Sequence, residues 1–161
     1  MSKELFLIRH ANAVSIPFKD DFSRALTPRG CQEAEQMAER LSLHKDTPGY
    51  LISSPAIRAL STAEIFAGHM GIPSAQIQLQ RPIYEASMGT LLHIINQVDD
   101  QHESIALFGH NPGISTIGQY LCPDITYTLS TSSIVQLHFE FECWNMVSAG
   151  SAKLVWNASP R

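Results

Sequence analysis

The sequence predicts an α/β fold, a three-layer αβα sandwich whose central sheet is mostly parallel and closes at its C-terminal edge with an antiparallel hairpin. Three observations carry this expectation. Continuous apolar runs at Leu5-Phe6-Leu7-Ile8, Tyr50-Leu51-Ile52 and Ile105-Ala106-Leu107-Phe108 read as strands buried on both faces, the pattern of parallel sheets. Amphipathic helical stripes lie between and after them. Beyond residue 134 the pattern changes to strict alternation, Val135, Leu137, Phe139 and Phe141 against Gln136, His138, Glu140 and Glu142, which reads as an antiparallel strand with one wet face.

In chain order, the first helix is expected behind Thr27-Pro28, a capping hydroxyl followed by a proline whose preset φ suits the first helical position. Its apolar stripe is Ala34, Met37, Ala38 and Leu41. Ser54-Pro55 and Asn111-Pro112 repeat the capping pattern and predict two further helices. The one behind Ser54 carries Ala56, Leu60, Ala63, Ala67 and Met70 and stops at Gly71 before Pro73; the one behind Asn111 runs from Pro112 to about Leu121. Another helix is expected over Ser87 to Val98, with short strands at Ile77-Leu79 and Ser104-Phe108. A last strand near Ala152-Trp156 follows a turn around Ser148-Ser151 and completes the terminal hairpin, to which Trp144 and Trp156 are assigned.

At 161 residues the chain is read as a single domain over 1–161, with no repeat or low-complexity linker dividing it. Its net charge of −4 offers no long-range attraction to nucleic acid or to an anionic membrane, so neither is an expected partner. Any bound phosphate must meet locally concentrated positive charge. The first apolar run is too short for a signal-peptide core or a membrane span, which makes a cytoplasmic location the expectation. Cys31, Cys122 and Cys143 are odd in number and widely spaced, indicating neither a disulfide framework nor a zinc motif; they are expected to be reduced, mostly packed thiols. His44, His69, His93, His102 and His138 show no metal-ligand spacing, and no metal or other cofactor is expected.

Each buried run leads directly into a polar cluster: Arg9-His10, Ser53-Ser54-Pro55 with Arg58 beyond, and Gly109-His110-Asn111-Pro112. Open α/β sheets bind ligands outside the carboxyl ends of such strands, so two arginines and two histidines should meet at one rim. Paired guanidinium forks make a phosphate clamp. A neutral imidazole held at a strand end can attack phosphorus, and a protonated His110 can neutralise charge on a transferring phosphoryl group. Each residue also has a plainer reading: a surface histidine, a solvated helix-face arginine, a neutral core histidine. Lys19-Asp20-Asp21 reads as a solvated loop, with the stretch from Ile16 to Arg24 a possible lining of the pocket mouth. Ser130 to Ser133 reads as a turn whose hydroxyls are within reach of the pocket.

Taken together, Arg9-His10-Ala11, Leu26-Thr27-Pro28-Arg29-Gly30, the segment from Ser53 to Glu64 and Gly109-His110-Asn111-Pro112 resemble the histidine phosphatase (phosphoglycerate mutase-like) superfamily. Thr131-Ser132-Ser133 and the short chain resemble its SixA-type phosphohistidine phosphatases in particular. The resemblance implies that His10 becomes phosphorylated, that Arg9 and Arg58 clamp the phosphate, and that His110 is the second histidine of the pocket. It also implies substrate contacts for Asn12, with Asn111 a further candidate. Ala11 departs from the glycine common after the histidine. Glu85 falls where phosphomonoesterase relatives place a general acid; an exposed carboxylate beside a helix start is the equal alternative. The expected function is removal of phosphate from phosphohistidine on a protein. A phosphomonoesterase for a small phosphate ester and a non-catalytic phosphohistidine-binding module are the competing readings.

Overall fold

The computed structural model describes residues 2–15 and 20–160. Strands β1 (Lys3–Arg9), β2 (Tyr50–Ser53), β3 (Gln78–Leu79), β4 (Ser104–Gly109), β5 (Ile134–Phe139) and β6 (Lys153–Ala158) form one sheet in the order β3-β2-β4-β1-β5-β6. The first four are mutually parallel, while β5 runs antiparallel to β1 and β6 antiparallel to β5. Helices α1 (Pro28–Ser42), α2 (Ile57–Met70), α3 (Met88–Asn96) and α4 (Gly113–Leu121) cover both faces. Alternation along the strands divides the core accordingly. Leu5, Leu7, Ile105 and Leu107 pack with Leu91, Ile95, Ile114 and Ile117 of α3 and α4, whereas Phe6, Ile8, Ala106 and Phe108 pack with Met37, Ala38, Ala63 and Phe66 of α1 and α2. The result is the expected αβα sandwich with an antiparallel edge.

The start of α1 is as the sequence reads. Thr27 Oγ1 accepts a 2.9 Å hydrogen bond from the Gly30 amide, and Ala34, Met37, Ala38 and Leu41 are fully buried. The other two capping expectations are corrected. Helix α2 begins at Ile57 with no side-chain cap, because Ser54 instead turns its hydroxyl to the Ala56 amide at 3.2 Å and to His110 at 2.7 Å. Helix α4 begins at Gly113 without a side-chain cap; the Asn111 amide is engaged by the Leu129 carbonyl and the Ser115 hydroxyl. Gly71 does end α2, in the left-handed conformation at φ 70° that glycine adopts without steric penalty.

The tail also differs from its alternation pattern. Gln136 is fully buried because α1 and the residues after it cover that face of β5. Its amide donates to Glu4 Oε1 at 2.6 Å and to Asp46 Oδ2 at 3.1 Å, and its carbonyl oxygen meets His44 Nε2 at 2.9 Å. A mid-strand polar residue facing the core is tolerated because each of its groups is partnered. Trp144 belongs to the core rather than the hairpin: it is fully buried and donates from Nε1 to the His102 carbonyl at 2.7 Å. Trp156 lies on β6, stacked 4.2 Å from His44. Of the thiols, Cys122 is buried, Cys143 half-buried and Cys31 exposed. Among the described residues no helix is long and apolar enough to cross a membrane.

Candidate active site

Register brings the polar clusters together. β1 and β4 are paired to their last residues, Arg9 opposite Gly109, and the ladder continues where the His10 amide donates to the Gly109 carbonyl at 3.1 Å. The His10 and His110 rings consequently stand 5.2 Å apart, centroid to centroid. On the other side of β4, the Ser54 amide donates to Phe108 O at 3.1 Å, which places the Ser54 hydroxyl against His110. Arg58, the second residue of α2, is buried at the same rim.

His10 is 7% exposed. Its Nδ1 lies 2.7 Å from its neighbour's carbonyl, Ala11 O; a carbonyl only accepts, so Nδ1 carries the proton and Nε2 keeps its lone pair. Burial pushes the His10 pKa down to about 4, opposed by the Ala11 hydrogen bond and reinforced by the charges of Arg58 and Arg9. An unprotonated ring beside two arginines is a ready nucleophile. His110 is pushed down to about 3, first by burial and then by His10 and Arg58. In the ligand-free site His110 is therefore neutral, because burial and the positive charges around it outweigh the negative charge of Asp21, which acts in the opposite direction.

Arg9 Nη1 donates to the Leu129 carbonyl at 3.0 Å. Arg58 donates from Nη1 to Asp21 O at 2.8 Å and from Nη2 to Asp21 Oδ2 at 3.0 Å. Among the described residues, the buried side-chain atoms without a partner are Arg9 Nε, Arg58 Nε, His110 Nδ1 and Ser132 Oγ. Three of the four belong to the residues that sequence reasoning selected. Buried orphan polar groups are disfavoured by about 1–3 kcal/mol each, and this cluster lies at the carboxyl ends of β1 and β4, where an anion could accept from the two guanidinium groups.

The remaining candidates separate. Asn12 sits beside the site, with Oδ1 accepting from Thr27 Oγ1 at 2.8 Å, so half of its amide ties the loop after β1 to α1. Asn111 is a brace between Leu129 and Ser115, both halves of its amide being occupied. Glu85 is exposed at the mouth with φ 57°, a left-handed conformation uncommon for a non-glycine residue. Ser130 and Ser133 pair with each other at 2.6 Å, while the Ser132 amide, at φ 62°, donates to the carbonyls of Arg9 and His10 at 3.1 and 3.2 Å.

Two contributors were not selected from sequence. Thr62 is fully buried; its Oγ1 accepts from the Ala11 amide at 2.9 Å and donates to Arg58 O at 2.7 Å, joining the loop that carries His10 to the helix that carries Arg58. Asp21, read as part of a solvated loop, stands instead in a 3-10 turn (Asp21–Ser23) that reaches the site. Besides Arg58 it binds Tyr84, whose hydroxyl donates to Oδ2 at 2.6 Å, and Arg24, whose Nη1 donates to Oδ1 at 3.0 Å. Helix periodicity gave no sign of the threonine's role; a turn-forming Asp20-Asp21 pair near Arg24 was the available signal for the other. Of the stretch expected to line the mouth, Asp20 to Arg24 are described, and Ile16 to Lys19 lie outside the described residues.

Residues 5–117 match the family model of the histidine phosphatase superfamily, branch 1. The chain belongs to that superfamily. This histidine phosphatase family member is 24% identical to phosphohistidine phosphatase SixA of Escherichia coli K12 over 158 residues, 98% of this chain and 94% of the relative. An uncharacterized protein of Mycobacterium tuberculosis is 29% identical over 164 residues, 96% of this chain and all of the relative. Among solved structures, a tungstate complex of the protein histidine phosphatase SixA matches with a TM-score of 0.81 at 23% identity, covering 98% of this chain and 97% of that one. A mycobacterial glucosyl-3-phosphoglycerate phosphatase matches with 0.69 at 15%, covering 99% and 100%. At these identities the structural likeness establishes the fold, and membership of the superfamily supports a phosphatase enzyme.

Proposed function

We propose that the protein is a phosphatase that works through phosphohistidine at His10 and removes phosphate from phosphohistidine on a protein substrate. The observation that carries this reading is the state of His10. Its Nδ1–H is fixed on Ala11 O, its ring is uncharged near neutral pH, and the guanidinium groups of half-buried Arg9 and buried Arg58 adjoin it with unpartnered Nε atoms.

In the first step His10 Nε2 forms a bond to phosphorus while the bond to the leaving group breaks opposite it, the leaving atom keeping the electron pair. Arg9 and Arg58 hold the non-bridging oxygens, and the dianion raises the proton affinity of His110, which then donates to one of them. Water displaces His10 from phosphorus in the second step, releasing inorganic phosphate and regenerating neutral imidazole. Positioning and charge supply most of the acceleration in such a transfer.

A protein substrate is supported by the mouth, where among the described residues Asp21, Arg81 and Glu85 are exposed and offer charged groups to a protein surface. Small phosphate esters are the second reading, supported by Glu85 at the rim beside Tyr84 as a proton donor for an alkoxide. The test is labelling with a phosphohistidine protein and with p-nitrophenyl phosphate. Wild type accumulates acid-labile phosphate and turns over. His10→Ala loses the label and at least about 10³-fold in kcat, as removal of a covalent nucleophile does. Label retained in His10→Ala overturns the proposal, and label without turnover makes the chain a binding module.

A further inference from the structure

The carboxylate of Asp21 occupies an unusual place for a phosphate site. Arg58 is 7% exposed and Asp21 47% exposed, yet Nη2 and Oδ2 are 3.0 Å apart, so Asp21 lies on the solvent side of the clamp, where a substrate enters. Tyr84, whose ring also packs 5.6 Å from that of His110, holds the same oxygen. An anion at this point repels an incoming phosphate dianion, an effect of wrong sign for a site that serves only to bind phosphate.

It also fails as a proton donor. Hydrogen bonds from Tyr84, Arg24 and Arg58 hold the Asp21 carboxyl far below the usual carboxylate range, so it is ionised whenever the enzyme works. A fixed carboxylate beyond the phosphate favours a leaving group that is itself cationic. Phosphohistidine is one: when the ring nitrogen not bonded to phosphorus is protonated, P–N cleavage returns the electron pair to the ring and imidazole departs neutral, its proton already in place. Oδ2 accepts from both Arg58 and Tyr84, while among the described residues Oδ1 accepts from Arg24 alone. A carboxylate carries about four acceptor positions, which leaves Oδ1 room for an imidazolium N–H.

We propose that Asp21 is the residue that selects phosphohistidine over phosphate monoesters, by accepting a hydrogen bond from the protonated ring of the substrate's leaving imidazole. This rests on the reading of His10 as nucleophile and names the substrate class that nucleophile serves. The groups facing Asp21 are Arg24 from its own turn, Arg58 from α2, and Tyr84 from the segment before α3, with Arg81 stacked over Phe22 and Tyr84 and Glu85 adjoining. All but Glu85 are cationic or hydrogen-bond donors, so they orient the carboxylate and keep it charged.

The experiment compares kcat/KM for a phosphohistidine peptide and for p-nitrophenyl phosphate, whose phenolate leaves without a proton, in wild type, Asp21→Asn and Asp21→Glu. Asparagine preserves size and the acceptor oxygen but removes the charge. The expected result is that the ratio of phosphohistidine to p-nitrophenyl phosphate turnover falls at least about tenfold in Asp21→Asn, the worth of one charge-assisted hydrogen bond. Glutamate restores part of that ratio, and the alkaline limb of phosphohistidine turnover moves to lower pH in the asparagine variant. Equal losses on both substrates reduce Asp21 to a tether for Arg58 and overturn the inference, as does an unchanged ratio. Wild type that labels His10 from p-nitrophenyl phosphate but leaves phosphohistidine intact overturns the phosphohistidine reading itself, an outcome distinct from both. Thermal melts of the two variants confirm that folded protein is being compared.

Discussion

A single hydroxyl connects the loop that carries His10 to Arg58. Thr62 Oγ1 lies between the Ala11 amide and the Arg58 carbonyl, and it satisfies a buried N–H that lies beyond the end of the β1 ladder. Thr62→Val keeps the shape and removes the acceptor. The buried amide is then unpaired, at about 1–3 kcal/mol, and the loop carrying His10 is released from α2. Urea unfolding is expected to show that loss, and p-nitrophenyl phosphate kinetics a roughly tenfold lower kcat, since misplacement by an ångström is expensive in a positioned displacement. Thr62→Ser restores both. Serine retains the hydroxyl, so failure of the rescue assigns the effect to packing of the methyl group instead. At this scale the sequence exposed what local pattern exposes: Arg9, His10 and His110 stand directly at the ends of apolar runs, and Arg58 lies just beyond one. Thr62 and Tyr84 act through partners distant in sequence, and nothing in their own neighbourhoods distinguishes them from ordinary helix and aromatic residues, while for Asp21 the local signal was no more than an acidic turn near Arg24.

Elements place these residues, and the closest fit between two of them is at the start of α1. A Cβ built on Gly30 would lie 2.1 Å from the backbone oxygen of Asn12, so the first turn of α1 rests directly on the loop that follows β1. The same loop is pinned by Thr27, whose amide donates to Asn12 O at 3.0 Å. Gly30→Ala must therefore displace backbone, and overpacking of this kind costs about 1–3 kcal/mol or more. A lower thermal midpoint is expected together with reduced kcat, because Asn12 is two residues from His10; an unchanged midpoint would show that the loop yields freely. The parallel strands, α1 and the end of α2 were legible because burial on both faces, an amphipathic stripe and a glycine stop are each written in adjacent residues. Ser54 and Asn111 misled because a hydroxyl or amide before proline has other uses, and here both groups serve the site and its supporting loop. Gln136 misled for a related reason: alternation marks faces but does not show whether a neighbouring element covers the polar one.

At the level of the whole molecule, the site couples catalysis to stability through proton binding. His10 and His110 are held at about 4 and about 3, chiefly by burial, against roughly 6.5 for histidine in an unfolded chain. Between those values the unfolded state binds more protons than the folded one, so stability rises with pH across the window and is lost as pH falls from about 6.5 toward 4. Lowering the pH from about 7.5 to about 5 is expected to remove about 2 kcal/mol per histidine from the unfolding free energy. Urea titrations at the two pH values measure it in wild type and in His10→Asn. The variant retains only the His110 contribution, so its decline is expected to be about half as large. An identical decline in both proteins would mean that His10 is protonated in the folded state near pH 5, and a protonated His10 has no lone pair on Nε2. Vanadate alters the comparison in a defined way: an anion bound between the arginines offsets the burial of His110 and raises its proton affinity. Stability of the vanadate complex should therefore fall less steeply with acid than that of the free protein, linking the anion, both histidines and the fold in one measurement.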